Sequence, residues 1–257
     1  MKARQAKLRR ARNPIHKTVN SNSSGFDKSS PRVRAMFCDI AHRYDFLNHL
    51  LSANQDKLWR RRAARLLGIK RDQKILDLCC GTGDLSFEML RHQPQCKVIS
   101  ADFALPMLQI ASAKSTPSAG GIAPKFVNAD ALNLPFGDAS FDAATVAFGA
   151  RNFENTEIGL REMHRVLRPE GKLLVLEFMR PQSALVQKGF AAFNLVLSPI
   201  GKAVSGHPTA YSYLPQSVGG FCTREEFAAL LRKIGFRDVR EFEHGGGVAT
   251  SFLARKK

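Results

Sequence analysis

The sequence predicts an α/β fold, a doubly wound Rossmann-like sheet that takes its ligand across the carboxyl ends of its strands. Three observations carry this. The first is the stretch Lys74-Ile-Leu-Asp-Leu-Cys-Cys-Gly-Thr-Gly-Asp84. A short apolar run, Ile75 to Leu78, leads into a tight Gly81-Thr82-Gly83 turn, and the spacing of Leu85, Phe87, Met89 and Leu90 then begins a helix. Strand, glycine turn and helix bring backbone N–H groups up against a nucleotide-like ligand. Glycine serves there because a Cβ would block close approach and disfavour positive φ. The second is Asp102, which closes the next apolar run 19 residues after Gly83. That is near the ~20-residue spacing of a carboxylate that grips ribose hydroxyls. The third is the alternation of strand-length apolar runs with helix-period segments along the remaining chain.

At 257 residues with 44% hydrophobic content, one domain with an N-terminal extension is expected. Residues 1–34 carry ten Lys/Arg against one acid, Asp27, so +9 of the net +17 lies there. Residues 18–30 are rich in Ser and Asn, and residues 1–30 read as a basic disordered tail. Such a tail suits nucleic acid or an anionic membrane surface, resembles an organelle transit peptide with a poor amphipathic pattern, or is simply solvated. Ser30-Pro31 is a helix start. Met36, Phe37, Ile40, Tyr44, Leu47 and Leu51 recur at helical spacing, so residues 31–51 read as one half-buried helix. Trp59 to Leu67 reads as a second, Arg-rich helix closed by Gly68.

Beyond Asp102, residues 104–114 read as a helix, Ser115 to Gly121 as a loop, and Ala123 to Val127 as a short strand ending near Asp130. Phe141 to Phe148 is the next strand, Thr156 to Leu167 a helix, and Leu173 to Phe178 a strand. Residues 184–204 are apolar but broken by Pro199 and Gly201, which marks 181–219 as a lid-like insertion in a domain running from 31 to 257. Thr223-x-x-Glu226 is a capping box opening a helix that Gly235 ends. Phe236 to Phe242 and Val248 to Leu253 are the last strands.

No run approaches the ~18 apolar residues of a membrane span, and no signal-peptide core is present. Five cysteines without a CxxC pair argue against a disulfide framework or zinc site, and no metal is expected. A reducing, cytoplasmic setting suits the adjacent Cys79 and Cys80.

Two ligand classes share the glycine turn. Nicotinamide sites usually read G-x-G-x-x-G, and here the third position is Ser86. S-adenosylmethionine (SAM) methyltransferases resemble acidic-x-Gly-x-Gly-x-Gly, which Asp77-Leu-Cys79-Cys-Gly81-Thr-Gly83 matches with Cys79 in place of the first glycine. A carboxylate in a buried strand needs a partner: the cofactor's ammonium, or local N–H groups that Asp77 merely caps.

The chain more closely resembles the C-methyltransferase family of ubiquinone and menaquinone biosynthesis, the demethylmenaquinone methyltransferase group, over roughly residues 33–254. The carriers are Tyr44-Asp-Phe-Leu-Asn48 with Leu51-Ser52 and Trp59, then Asp77–Asp84, Ala131-Leu-Asn-Leu-Pro-Phe136, Phe148-Gly-Ala-Arg-Asn152, Arg165-Val-Leu-Arg-Pro169, Leu176-Glu-Phe178 and Tyr211-x-Tyr-Leu-Pro215. The family usually has His where Asp56 stands, Gly at Glu170, Ser at Met179, Leu at Ala150 and commonly Ser at Ala147. The resemblance implies a seven-stranded sheet with the last strand antiparallel. It places Gly81, Thr82 and Gly83 under the methionine part of SAM, Asp102 on the ribose, Asp130 and Ala131 beside the adenine, and Ala147 closing the site.

The implied reaction is in-line transfer of methyl to a ring carbon of a polyprenylated quinol, most simply demethylmenaquinol. The protein must align that carbon and stabilise phenolate character beside it. Arg151, directly after the fourth strand, is the candidate anion stabiliser, or else a salt bridge to a helix carboxylate. Tyr44 orients the ring or merely packs. His42, His164, His207 and His244 are bases by type, but none lies in a family segment. A substrate of this kind calls for peripheral contact with an anionic membrane, through the tail and an entrance lined by Phe190, Phe193, Leu195 and Val196; a homo-oligomer is left open. A nicotinamide oxidoreductase lacks its third glycine, and a nucleic-acid methyltransferase lacks a Pro-Pro-aromatic segment after the fourth strand. Another small lipophilic acceptor, such as a sterol or tocopherol precursor, is the alternative; a SAM-binding module without turnover is the other.

Overall fold

The computed structural model describes residues 30–117, 121–180 and 210–257. The basic tail, His207 and the greater part of the 181–219 insertion, including Phe190, Phe193, Leu195 and Val196, lie outside the described residues. Seven strands form one sheet in the order β3-β2-β1-β4-β5-β7-β6. They are β1 (Lys74–Leu78), β2 (Lys97–Asp102), β3 (Lys125–Asn128), β4 (Phe141–Ala147), β5 (Leu167–Phe178), β6 (Phe236–His244) and β7 (Ala249–Lys256). The first five run parallel, and β7 is antiparallel to both β5 and β6. The chain order reverses between β1 and β4, which places the crevice at their carboxyl ends.

Alternation along the strands sets the two faces. Leu76, Leu78, Val146, Leu173 and Val175 join Leu160, Met163, Phe227 and Leu231, from α6 (Thr156–Val166) and a helix spanning Arg224–Ile234. Ile75, Val98, Leu174 and Leu176 face the other way, against Trp59, Ala63, Leu67, Leu85 and Met89 of α3 (Gln55–Leu67) and α4 (Asp84–His92). Asp77 shares that second face with Ile75.

The single helix expected over 31–51 is in fact α1 (Ser30–Ile40), a 3-10 turn at Ala41–Arg43, and α2 (Tyr44–Leu51). The break lets Ala41 pack on Ala104 and Met107 at the start of α5 (Leu105–Lys114), and it sets Tyr44 beside the glycine turn. Helix α3 starts at Gln55, one turn before Trp59. Strand β5 begins at Leu167 because Leu167 pairs with Phe141 and Lys172 with Ala143, and the residues between bulge out. Glu170, where the resembled family has glycine, adopts φ +63° in that bulge and ion-pairs with Arg237.

Residues 210–219 of the expected insertion form α7 (Ala210–Gly219). The next helix, α8 (Arg224–Ile234), carries both bonds of its capping box, with Thr223 N–H donating to Glu226 at 2.8 Å.

Candidate active site

The turn after β1 is built for close approach. Gly81 and Gly83 have φ +56° and +90°, and a Cβ on Gly83 would lie 2.8 Å from the Phe87 ring. Cys79, at the first-glycine position, adopts φ +51°, and the Cβ of Cys79 lies only 2.5 Å from where a Cβ on Gly149 would stand. The cysteine is accommodated because residue 149 has no side chain. Burial raises the pKa of both Cys79 and Cys80 well above the usual thiol value, so neither is a thiolate nucleophile.

Asp102 ends β2 and is 5% exposed. Its carboxylate accepts N–H bonds from Gly81 at 2.9 Å and Ala104 at 2.8 Å, tying the glycine turn to the start of α5. It lines an approximately 630 Å³ cavity with Asp130, Ala131, Ala147 and Tyr44, walled by Phe37, Phe103, Phe148 and Phe153. Asp130 accepts from the Leu132 N–H at 2.9 Å, and that bond shapes the turn carrying Ala131.

A smaller, polar cavity of about 310 Å³ adjoins it, lined by Asp77, Thr82, Asp84 and Arg60. Four residues line both cavities: Tyr44, Cys79, Gly81 and Ala147. Asp77 is 1% exposed and accepts from Ser86 at 2.5 Å and Thr145 at 2.9 Å. Burial raises its pKa to about 6 against these bonds. The local partners are therefore side-chain hydroxyls rather than the backbone N–H groups of a simple cap.

The N-terminal helices are fastened over this turn by charge. Asp45 of α2 accepts from Thr82 and pairs with Lys114 at 2.8 Å, and Lys114 reaches Asp84 at 3.0 Å. Arg60 pairs with Asp56 and stands 3.7 Å from Asp84. Asp56, 2% exposed, also accepts from Ser52 at 2.6 Å and meets His49 Nδ1 at 3.0 Å. Burial alone would raise its pKa, but Arg60 and Ser52 hold it below the ordinary value.

Arg151, the candidate anion stabiliser, sits in a 3-10 turn after β4 and is 7% exposed. Its Nη1 donates to Glu177 and to the Phe148 carbonyl, both at 2.6 Å, and Nε donates to Ser217 of α7 at 3.4 Å. Glu177 is fully buried and also accepts the Arg151 N–H. The salt bridge is real, but its carboxylate comes from β5 and not from a helix. Nearby, Tyr213 of α7 donates to Asn152 at 2.6 Å, and Phe37 packs edge-on against Tyr44 and Tyr213. Burial raises the pKa of Tyr44, so it is a neutral phenol in the physiological range. His164 packs edge-on against Phe236, and His244 is buried against Ser251 with its pKa lowered to about 4 by burial, so neither faces either cavity.

The model of the ubiE/COQ5 methyltransferase family matches residues 26–256. The chain belongs to this family. It is a SAM-dependent methyltransferase, and the seven-stranded sheet with its antiparallel β7 is the fold of that class. Among similar proteins are the demethylmenaquinone methyltransferase of Porphyromonas gingivalis, 39% identical over 90% of this chain and 96% of that protein, and that of Thermus thermophilus, 47% identical over 78% and 91%. The ubiquinone/menaquinone biosynthesis C-methyltransferase of Citrifermentans bemidjiense is 40% identical over 88% and 96%. A SAM-dependent methyltransferase structure from Aquifex aeolicus superposes with a TM-score of 0.59 at 18% identity, covering 83% of this chain and 98% of that one.

The sequence did not point to Asp45, Arg60, Lys114, Glu177 and Tyr213 as site residues. Asp45, Glu177 and Tyr213 lie inside segments already singled out by the resemblance, which was the available signal. Arg60 sits among other basic residues on α3, and Lys114 is the lone cation at the end of α5, outside every segment that the resemblance singled out; neither had a signal.

Proposed function

We propose that the protein transfers the methyl group of SAM to a ring carbon of a polyprenylated quinol, demethylmenaquinol first among them. The names of its relatives support this substrate, and one structural observation carries the site: a polar cavity and an aromatic-walled cavity meet at Tyr44, Cys79, Gly81 and Ala147. The larger space would hold the adenosine, with Asp102 on the ribose hydroxyls and Asp130 and Ala131 at the base. The glycine turn and Thr82 lie under the methionine part, whose ammonium finds Asp77. The junction is then where a sulfonium would lie, and SAM supplies the electrophilic methyl there.

What the chain contributes is alignment and electrostatics. Tyr44 stands at the junction as a neutral phenol and orients the acceptor ring by a hydrogen bond and an edge contact. Arg151 acts from behind the wall: its pair with Glu177 fixes the Phe148–Asn152 turn, and its charge favours anionic character near Tyr44. Polyprenylated quinols reside in bilayers, so the protein works at a membrane surface; no described helix is long and apolar enough to cross one.

The test is turnover by purified protein on short-chain demethylmenaquinol and demethylated benzoquinol, read by mass spectrometry of the ring. Methylation of neither ring, with transfer to an unrelated lipophilic acceptor, would sink the substrate. Asp102→Ala should weaken SAM binding about 10- to 100-fold by calorimetry, since it removes charge-assisted hydrogen bonds. An unchanged dissociation constant would move the ribose elsewhere.

A further inference from the structure

We propose that Arg60 is the carboxylate-binding residue of the cofactor site, and that Asp56 is the positioning residue that holds it there. This rests on the placement of SAM given above, and it makes the small cavity a recognition site for a complete α-amino acid.

The methionine end of SAM carries an α-ammonium and an α-carboxylate, and both leave water on binding. The polar cavity offers carboxylates for the ammonium, Asp77 and Asp84. Among the described residues it offers one cation for the carboxylate, because Arg60 is the only Lys or Arg lining either cavity.

The guanidinium is fixed for such a task. Arg60 is 7% exposed, and its guanidinium carbon stands 5.2 Å from the centroid of the Phe148 ring. Its contacts with Asp56 and Asp84 both run through Nη1. The approach to Asp84, at 3.7 Å, is too long for a hydrogen bond. Among the described residues neither Nε nor Nη2 has a hydrogen-bond partner, which leaves that edge for a planar carboxylate, whose geometry a guanidinium fork matches.

Asp56 is the anchor. It lies one helical turn before Arg60 on α3, and Ser52 at 2.6 Å and His49 at 3.0 Å hold it from the preceding segment. Position 56, where the resembled family usually has His, thus gains a reason here: its anion locks the rotamer of Arg60, and an imidazole reaches it from position 49. Among the described residues His49, Asp56 and Asp84 come close enough to suggest a metal cluster. The guanidinium of Arg60 already lies between the two carboxylates and supplies the positive charge.

The test compares SAM with decarboxylated SAM, which differs only in the missing carboxylate, by calorimetry on the full chain. The wild type should prefer SAM by about 10- to 100-fold, the range for a charge-assisted bidentate contact. Arg60→Met should bring SAM down to the affinity of the decarboxylated analogue, whose own binding hardly changes. Arg60→Lys should keep part of the preference, and Asp56→Asn should reduce the ratio without abolishing binding. Asp102→Ala, in contrast, should weaken both ligands equally.

Equal wild-type affinity for the two ligands would overturn the role of Arg60 while leaving the SAM site in place. Binding of neither would overturn the site itself and this proposal with it. Should Arg60→Met fail to fold, the wild-type ratio and Arg60→Lys decide.

Discussion

A carboxylate 1% exposed within β1 carries a desolvation penalty when it is charged. Burial raises the pKa of Asp77 to about 6, and the Ser86 and Thr145 hydroxyls only limit the rise. Its sign is that of a folded state that binds a proton more tightly than the unfolded one. Stability is fully present below the ordinary carboxylate value and is lost as the pH climbs through about 6. Asp77→Asn should therefore stabilise the apoprotein at pH 8 by up to about 3 kcal/mol and hardly at all near pH 4, while weakening SAM binding. Thermal melts across that range check it, and a gain independent of pH would refute it. Gly149 and Cys79 offer a second residue-scale test. Gly149→Ala places a Cβ 2.5 Å from that of Cys79 and should cost about 1–3 kcal/mol. Adding Cys79→Gly should recover most of that in urea unfolding. A short motif made the glycine turn legible, its spacing from that turn pointed to Asp102, and the resemblance pointed to Tyr44. Asp45 was not, because its partner Thr82 is 37 residues away and only the fold brings them together.

The elements that sequence read well are those whose signals are local. The capping box of α8 and the apolar runs of β1, β2 and β4 needed no tertiary context. The break between α1 and α2 did, because Ala41 turns the chain to reach Ala104 and Met107 on α5. The bulge opening β5 arises from its pairing with β4: Pro169 and Gly171 signal a turn, but only the pairing of Leu167 with Phe141 makes it a bulge within a strand. Helix α7 is the consequential case. It is held to the turn after β4 by Ser217–Arg151 and Tyr213–Asn152, so the Arg151–Glu177 pair couples an element of the active site to the end of the insertion. Removing the guanidinium strands a fully buried Glu177, and Arg151→Leu should cost about 3–5 kcal/mol. The double substitution Arg151→Leu with Glu177→Leu should recover most of that stability, since an apolar pair replaces a buried ionic one. Turnover should stay low in both variants if the charge of Arg151 serves the reaction. A double variant with restored single-turnover rates would make the residue purely structural.

At the scale of the whole molecule the outstanding property is charge. The net +17 is not confined to the N-terminus, because residues 1–29 hold eight Lys/Arg and one acid, Asp27, and the remainder of the chain is still strongly basic. Exposed cations near a membrane attract anionic lipid by about 1 kcal/mol each, an attraction that decays within a Debye length of about 8 Å at physiological salt. Two basic regions in one chain would act together on such a surface, and loss of one would leave the other. A chain starting at Ser30, where α1 begins, retains every described strand and helix. We expect it to melt cooperatively and to methylate a short-chain quinol at the full-length rate. It should bind vesicles containing phosphatidylserine more weakly than the full chain, yet above the level seen with neutral vesicles. Raising the salt from 0.1 to 1 M shortens the screening length from about 10 to 3 Å and should release both forms. Activity on a long-chain quinol embedded in those vesicles should fall in parallel with binding, while activity on the short-chain quinol should not. Vesicle sedimentation and quinol turnover on the same samples make the comparison. Equal vesicle binding by the two chains would assign the membrane contact to the body of the protein, and loss of cooperative melting in the shorter one would make residues 1–29 part of its core.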